Sequence, residues 1–123
     1  MSFLGNIIWL LFGGIIIFLE YMISGLLLCI SIIGIPFGLQ CFKLGMLALW
    51  PFGRVIQESS PIKGGCLYII FNVIWIFIGG IWIVLTHLLF GLLLFITIIG
   101  IPFAMQHFKL AGLALTPFGK KIQ

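Results

Sequence analysis

Side chains able to do chemistry are few in this 123-residue chain. Gln40 and Lys43 stand three residues apart, and Gln106 and Lys109 repeat the pair. Three-residue spacing on a helix puts both groups on one face. An amide and an ammonium there can line a hydrated strip that attracts anions, or the lysine can run along apolar surface until its charge reaches water. Glu20 is one of two acids in the chain. In so apolar a stretch it is uncharged, faces a hydrated cavity, or marks a hairpin outside the apolar layer. His87 and His107 have no acid or cysteine beside them in sequence, which points to packing or interfacial placement rather than ligation or a proton relay. Cys29, Cys41 and Cys66 are odd in number and follow no ligand spacing, so they read as small apolar residues. There is no nucleophile–base cluster and no phosphate-cradling glycine loop. The expectation is a protein without catalysis, cofactor or metal.

These groups sit in an extremely apolar background. Hydrophobic residues make up 63% and charged residues 7%, with a mean hydropathy of +1.41. Soluble domains run near 45–50% apolar and about 25% charged, and a small one buries only about 60–70% of its unfolded surface. Lipid must cover the rest. No Asp, Glu, Lys or Arg occurs across residues 64–108, and Glu20 is the only one before Lys43. A membrane-spanning helix needs about 20 apolar residues, so both stretches suffice. The first lacks the basic start and small-residue cleavage site of a signal peptide, so it is expected to remain in the protein. The net charge of +4 matches what membrane orientation requires. The lipid bilayer is the expected partner, with neither nucleic acid nor a soluble protein indicated.

Shifted by 66 positions, the chain overlays itself without a gap: residues 1–57 align with 67–123, and 31 of the 57 pairs are identical. The expected organisation is a membrane repeat at 1–57, a linker at 58–66 (ESSPIKGGC) and a second membrane repeat at 67–123. Within each repeat a helix stops and restarts. Gly34 can end a helix in the left-handed conformation, Ile35 before a proline is biased toward extended backbone, and Pro36 suits the first position of a new helix. Gly100, Ile101 and Pro102 repeat the device. Trp50-Pro51-Phe52-Gly53 and Thr116-Pro117-Phe118-Gly119 are turn signals that end the second helix.

The predicted fold is an all-α integral membrane protein of two tandem repeats. Each has a long helix A (about 4–33 and 70–99), a Gly-Ile-Pro break, and a shorter, amphipathic or partly spanning helix B (about 37–50 and 103–116). Helix A would be roughly 45 Å long against a core of about 30 Å, so one long tilted helix is expected in preference to a hairpin at Glu20-Tyr21, where no turn residue stands. Helix B, about 21 Å long, would lie in the interface or return through the membrane. Glu20 and Lys43 lie at depths about 21 Å and 10 Å from the break, too different to pair within one repeat. Basic residues follow both repeats: Arg54 and Lys63, then Lys120 and Lys121. If all are cytoplasmic, each repeat crosses an even number of times and helix B returns the chain to its starting side. Asn6 and Asn72, one turn before Trp9 and Trp75, suit interfacial anchoring or interhelical bonding. Gly13-Gly14 and Gly79-Gly80 suit close helix approach or, less simply, a hinge.

The repeated pattern IIGIPFG-x-Q-x-FKL-x(4)-LxPFG, preceded by N-x-I-W-x(3)-GG, resembles the YccF family of small bacterial inner-membrane proteins and covers essentially the whole chain. The resemblance implies the inner membrane and a duplicated domain, and it brings no catalytic residues. Glu20 departs from the neutral residue expected there. Two functions fit. One is an oligomeric channel or transporter for ions or small solutes, because tandem repeats with discontinuous helices recur in transport. Its candidate polar pathway is Gln40, Lys43, Gln106, Lys109 and Glu20, with helix breaks at Gly34, Pro36, Gly100 and Pro102. The other is a structural or accessory membrane protein that binds lipid or a larger complex, as the near absence of polar residues along the second helix A suggests.

Overall fold

The computed structural model describes residues 2–54, 56–58, 65–115, 117–118 and 120–122. In the first module α1 (Ser2–Trp9) passes through a π-turn (Leu10–Gly14) into α2 (Ile15–Ile30), and a tight turn leads to α3 (Ile35–Leu49). The second module repeats this with α4 (Gly65–Trp75), a π-turn (Ile76–Gly80), α5 (Ile81–Ile96) and α6 (Ile101–Leu115). Among the described residues the fold is helical apart from two three-residue strands, β1 (Ile56–Glu58) and β2 (Lys120–Ile122). Of the segment read as a linker, Glu58 lies in β1 and Gly65 and Cys66 in α4. Residues 59–64, with Lys63, lie outside the described residues, as do Thr116 and Gly119 of the second turn signal.

Helix A is one long element, but not an uninterrupted one. Phe3–Ile30, Ile32–Leu49 and Ile69–Ile96 are each long and apolar enough to cross a membrane. α2 runs straight through Glu20 and Tyr21, with no hairpin there. The interruption lies earlier, where Phe12 (φ −109°, ψ 45°) and Gly13 (φ 117°, ψ −20°) leave helical geometry. A positive φ of that size favours glycine. Helix A ends at Ile30 and Ile96 rather than 33 and 99.

The Gly-Ile-Pro break also differs from its expected form. Gly34 is right-handed (φ −82°). It is glycine for space, because a Cβ there would collide with the Leu28 carbonyl and the Ser31 hydroxyl. Ile35 is helical (φ −55°, ψ −47°) despite preceding a proline, and Pro36 falls at the second helical position. A tight turn that donates Gly34 N–H to the Ser31 carbonyl at 2.6 Å leaves no extended residue to spare. In the second module the positive φ falls on Ile98 (63°), not on Gly100.

α3 returns alongside α2. A Cβ on Gly38 would meet the Gly25 carbonyl at 2.6 Å, and one on Gly25 would meet the Gly38 carbonyl at 3.0 Å. Small residues of this kind let helix backbones touch in lipid, where close packing rather than water expulsion holds helices together. The far end of the hairpin is closed by a clamp. Asn6 Nδ2 donates to the Phe52 carbonyl (3.1 Å) while its Oδ1 accepts from Phe52 N–H (2.9 Å), and Trp9 Nε1 donates to the Ala48 carbonyl (2.6 Å). Asn72, Trp75, Phe118 and Ala114 repeat all three bonds at 3.3, 3.1 and 2.7 Å. The tryptophans satisfy the Ala48 and Ala114 carbonyls at the end of helix B, which no longer have intrahelical donors, and the asparagines hold the backbone of the turn that follows. The asparagines and tryptophans are therefore interhelical bonding groups.

The two modules pack with the same orientation about an approximate two-fold axis. Ile56 pairs with Ile122 in the antiparallel β1–β2 ladder, and those two residues are equivalent by the 66-residue shift. Glu20 and Thr86, also equivalent, are hydrogen-bonded to each other. Other contacts come in exchanged pairs. Tyr21 stacks on Trp75 (6.0 Å) as His87 meets Trp9 (6.4 Å), and Phe37 meets Phe118 (4.9 Å) as Phe103 meets Phe52 (5.5 Å). Parallel repeats about an axis along the bundle are an established membrane architecture. Helix B thus brings each module back to its starting end, and the ladder joins those ends.

Candidate functional site at the module interface

The polar residues singled out from sequence separate in the structure. Lys43 and Lys109 lie on exposed outer faces of α3 and α6. Gln40, half-buried, turns inward, and its Nε2 donates to the Pro117 carbonyl of the other module at 3.2 Å. Gln106 is half-buried. Within one chain, then, the Gln/Lys faces do not form one strip: the amide of the first serves the module interface and the ammonium groups face outward. The Gly34–Pro36 and Gly100–Pro102 breaks are hairpin turns between antiparallel helices, not interruptions within a span.

The polar groups that do converge lie between the modules. Glu20 on α2 accepts a hydrogen bond from Thr86 Oγ1 on α5 at 3.0 Å. Thr86 Oγ1 also lies 3.0 Å from the Trp82 carbonyl one turn back, so its single hydroxyl hydrogen is shared between two acceptors. The other oxygen of Glu20, Oε1, is buried and has no partner among the described residues. One residue on from Thr86, His87 is fully buried, and its Nδ1 lies 3.0 Å from Nδ1 of the equally buried His107 on α6. His107 Nε2 lies 2.9 Å from the Phe12 carbonyl. That carbonyl belongs to the break in helix A, where a departure from helical torsions removes its intrahelical donor. His107 is sandwiched between Trp9 (4.0 Å, 28°) and Phe90 (5.8 Å, 16°).

The protonation pattern of the neutral pair follows from the acceptors. A carbonyl only accepts, so His107 Nε2 carries hydrogen and its Nδ1 is a lone pair. His87 Nδ1 must then donate across the 3.0 Å contact. His87 Nε2 is left as an acceptor, buried and without a partner. Among the described residues no three His, Cys, Asp or Glu side chains gather to hold a metal ion.

With this geometry in hand, comparison with known proteins identifies the chain's relatives. The model of the YccF inner membrane component domain matches residues 4–54 and again 70–120. The chain belongs to the YccF family. It is 29% identical over 124 residues to the inner membrane protein YccF of Escherichia coli (strain K12), covering 95% of this chain and 84% of that protein, and equally so to that of Shigella flexneri. No solved structure matches. The two YccF domains coincide with the two helical modules, and the protein is a multi-pass component of the bacterial inner membrane. The histidine pair escaped sequence reasoning because its members are twenty residues apart on different helices. One signal was available: Tyr21 and Cys41 in the first YccF domain become His87 and His107 in the second, and Glu20 becomes Thr86. The repeats diverge where the interface carries its polar groups.

Proposed function

We propose that this YccF-family protein is a non-enzymatic membrane transporter or channel for ions or small solutes, working as a homo-oligomer. The observation that carries the reading is the break in the first long helix at Phe12–Gly13, with a π-turn at the equivalent Ile76–Gly80, beside a module interface holding Glu20, Thr86, His87 and His107. A discontinuous helix at the interface between two repeats is where transporters build binding sites. Polar groups at membrane depth are expensive, so a cluster of them points to a functional site. The pathway in this reading runs between the modules, with Gln40 beside it, rather than along Lys43 and Lys109.

Reconstituted protein should carry ion or proton flux that Glu20→Gln or His107→Cys reduces, while Lys109→Ala leaves it unchanged. Absence of flux from a folded, inserted oligomer would sink the reading. The exposed lysines favour a second reading. Lys43 and Lys109 stand on faces that also show Leu39, Met46 and Met105 to the outside, which suits adhesion to lipid or to a larger membrane complex. Under that reading no flux appears, and Lys43→Ala with Lys109→Ala lowers retention of anionic lipid on the purified protein.

A further inference from the structure

His87 Nε2 is an acceptor with no exposed surface and no partner among the described residues. Burying such an atom without a partner is costly, and natural interiors rarely keep one without a use. We propose that His87 and His107 form a proton-binding relay at the module interface, with entry at His87 Nε2 and the charge held on His107.

The step balances with one proton and no change of oxidation state. An N–H bond forms at His87 Nε2. The His87 Nδ1–H bond breaks as that proton crosses 3.0 Å to the lone pair of His107 Nδ1. His87 ends neutral, and His107 ends as imidazolium with both nitrogens protonated. The second ring is built to receive that charge. Trp9 and Phe90 face its two sides at centroid distances of 4.0 and 5.8 Å, and an aromatic face attracts a cation. Nε2–H donates to the Phe12 carbonyl at 2.9 Å, a bond that strengthens when the donor is charged. The other titratable side chains that α2 and α3 bring to this interior are Glu20, Tyr21 and Cys41, while Lys43 and Lys109 face away.

Proton occupancy and helix geometry are linked through that carbonyl. The break at Phe12 and Gly13 frees it, and a Cβ on Gly13 would meet His107 Cε1 at 3.0 Å. Glycine there makes room for the ring that bonds the freed carbonyl. In the second module Ile78 and Gly79 hold the corresponding positions, Cys41 replaces the histidine, and Gly79 has no positive φ. A proton on His107 therefore stabilises the break in the first module alone. As the coupling site of a transporter the relay rests on the transport reading; as a proton site it does not.

The test is 15N-histidine NMR on the full chain in nanodiscs, with tryptophan fluorescence as a second readout. At neutral pH the two rings should be opposite tautomers, His87 on Nδ1 and His107 on Nε2. Acidification should load one proton per chain and quench Trp9, because a stacked imidazolium accepts the excited electron of indole. His107→Cys should abolish both changes, and His87→Tyr should shift the midpoint of quenching; both variants carry the residue the other module already has. Identical tautomers, no proton uptake while the helical spectrum persists, or stoichiometric Zn2+ lost on His87→Tyr would each overturn the relay. Flux without this titration leaves the transport reading standing and the relay refuted; the titration without flux does the reverse.

Discussion

Glu20 and Thr86 hold the same place in two repeats and are bonded to each other at 3.0 Å. In a two-fold arrangement equivalent residues touch each other only on the axis and all other contacts come in exchanged pairs, which is the pattern of the Tyr21–Trp75 and His87–Trp9 contacts. The Ile56–Ile122 pair marks a second point on that axis, at the end where both modules finish. The chain is thus a parallel, self-complementary pair of domains fused in one polypeptide, and its polar divergence lies on or beside the symmetry axis.

A cross-linking prediction follows from that axis. In a chain with Cys29, Cys41 and Cys66 replaced by Ala, Glu20→Cys with Thr86→Cys should be joined within one chain by a short bis-maleimide. Mobility on denaturing gels should be monomeric and compact. Products joined only between chains would show that the modules pair across subunits instead.

Orientation gives a second prediction. The β1–β2 ladder brings the ends of both modules together, so Arg54 and the residues after α6 face one side of the membrane. Reporters fused after residue 54 and at the C-terminus should both act in the cytoplasm, as the positive-inside rule requires. Opposite outcomes for the two fusions would break the parallel arrangement.

The clamp supports a third. Asn6 makes two hydrogen bonds to Phe52, as donor and acceptor, and has no exposed surface. Asn6→Ala should cost about 1–3 kcal/mol of stability, the range for stranding buried backbone partners. Asn6→Asp keeps the acceptor for Phe52 N–H but loses the donor to its carbonyl, and should be no better than Ala. Unfolding in mixed micelles measures both, and a variant within 0.5 kcal/mol of wild type, a threshold set by the scatter of surface substitutions of about ±0.5 kcal/mol, would show the clamp to be incidental.

The sequence made the membrane, the duplication and the helix-break-helix plan readable because each follows from one-dimensional facts: run length, self-overlay, and Gly and Pro placement. The site was less readable because it is made by exchange between modules. Lys43 and Gln40 share a face by spacing, yet the short amide finds the Pro117 carbonyl across the interface while the longer ammonium stays outside. Gly13 looked like a packing residue and proves also to be a break, where the Phe12 carbonyl meets a histidine 95 residues away in sequence. Gly34 looked like a conformational glycine and proves to be a spatial one.

That distinction between kinds of glycine yields a graded prediction. Gly112 has nothing within 4 Å of an added Cβ, so Gly112→Ala in the interior of α6 should stabilise by about 0.5–1 kcal/mol through helix propensity alone. Gly38→Ala puts a methyl 2.6 Å from the Gly25 carbonyl and should separate α2 from α3, even though the second repeat carries Ala104 at that position. Gly13→Ala faces both a left-handed φ of 117° and the His107 ring. It should be the most damaging of the three, losing the break along with the bond from His107 to the Phe12 carbonyl. Thermal unfolding of the three variants in one detergent gives the order 112, 38, 13 from most to least stable. If 13 and 112 proved equal, the break would not be held by this glycine and the link between helix geometry and the histidine pair would fail with it.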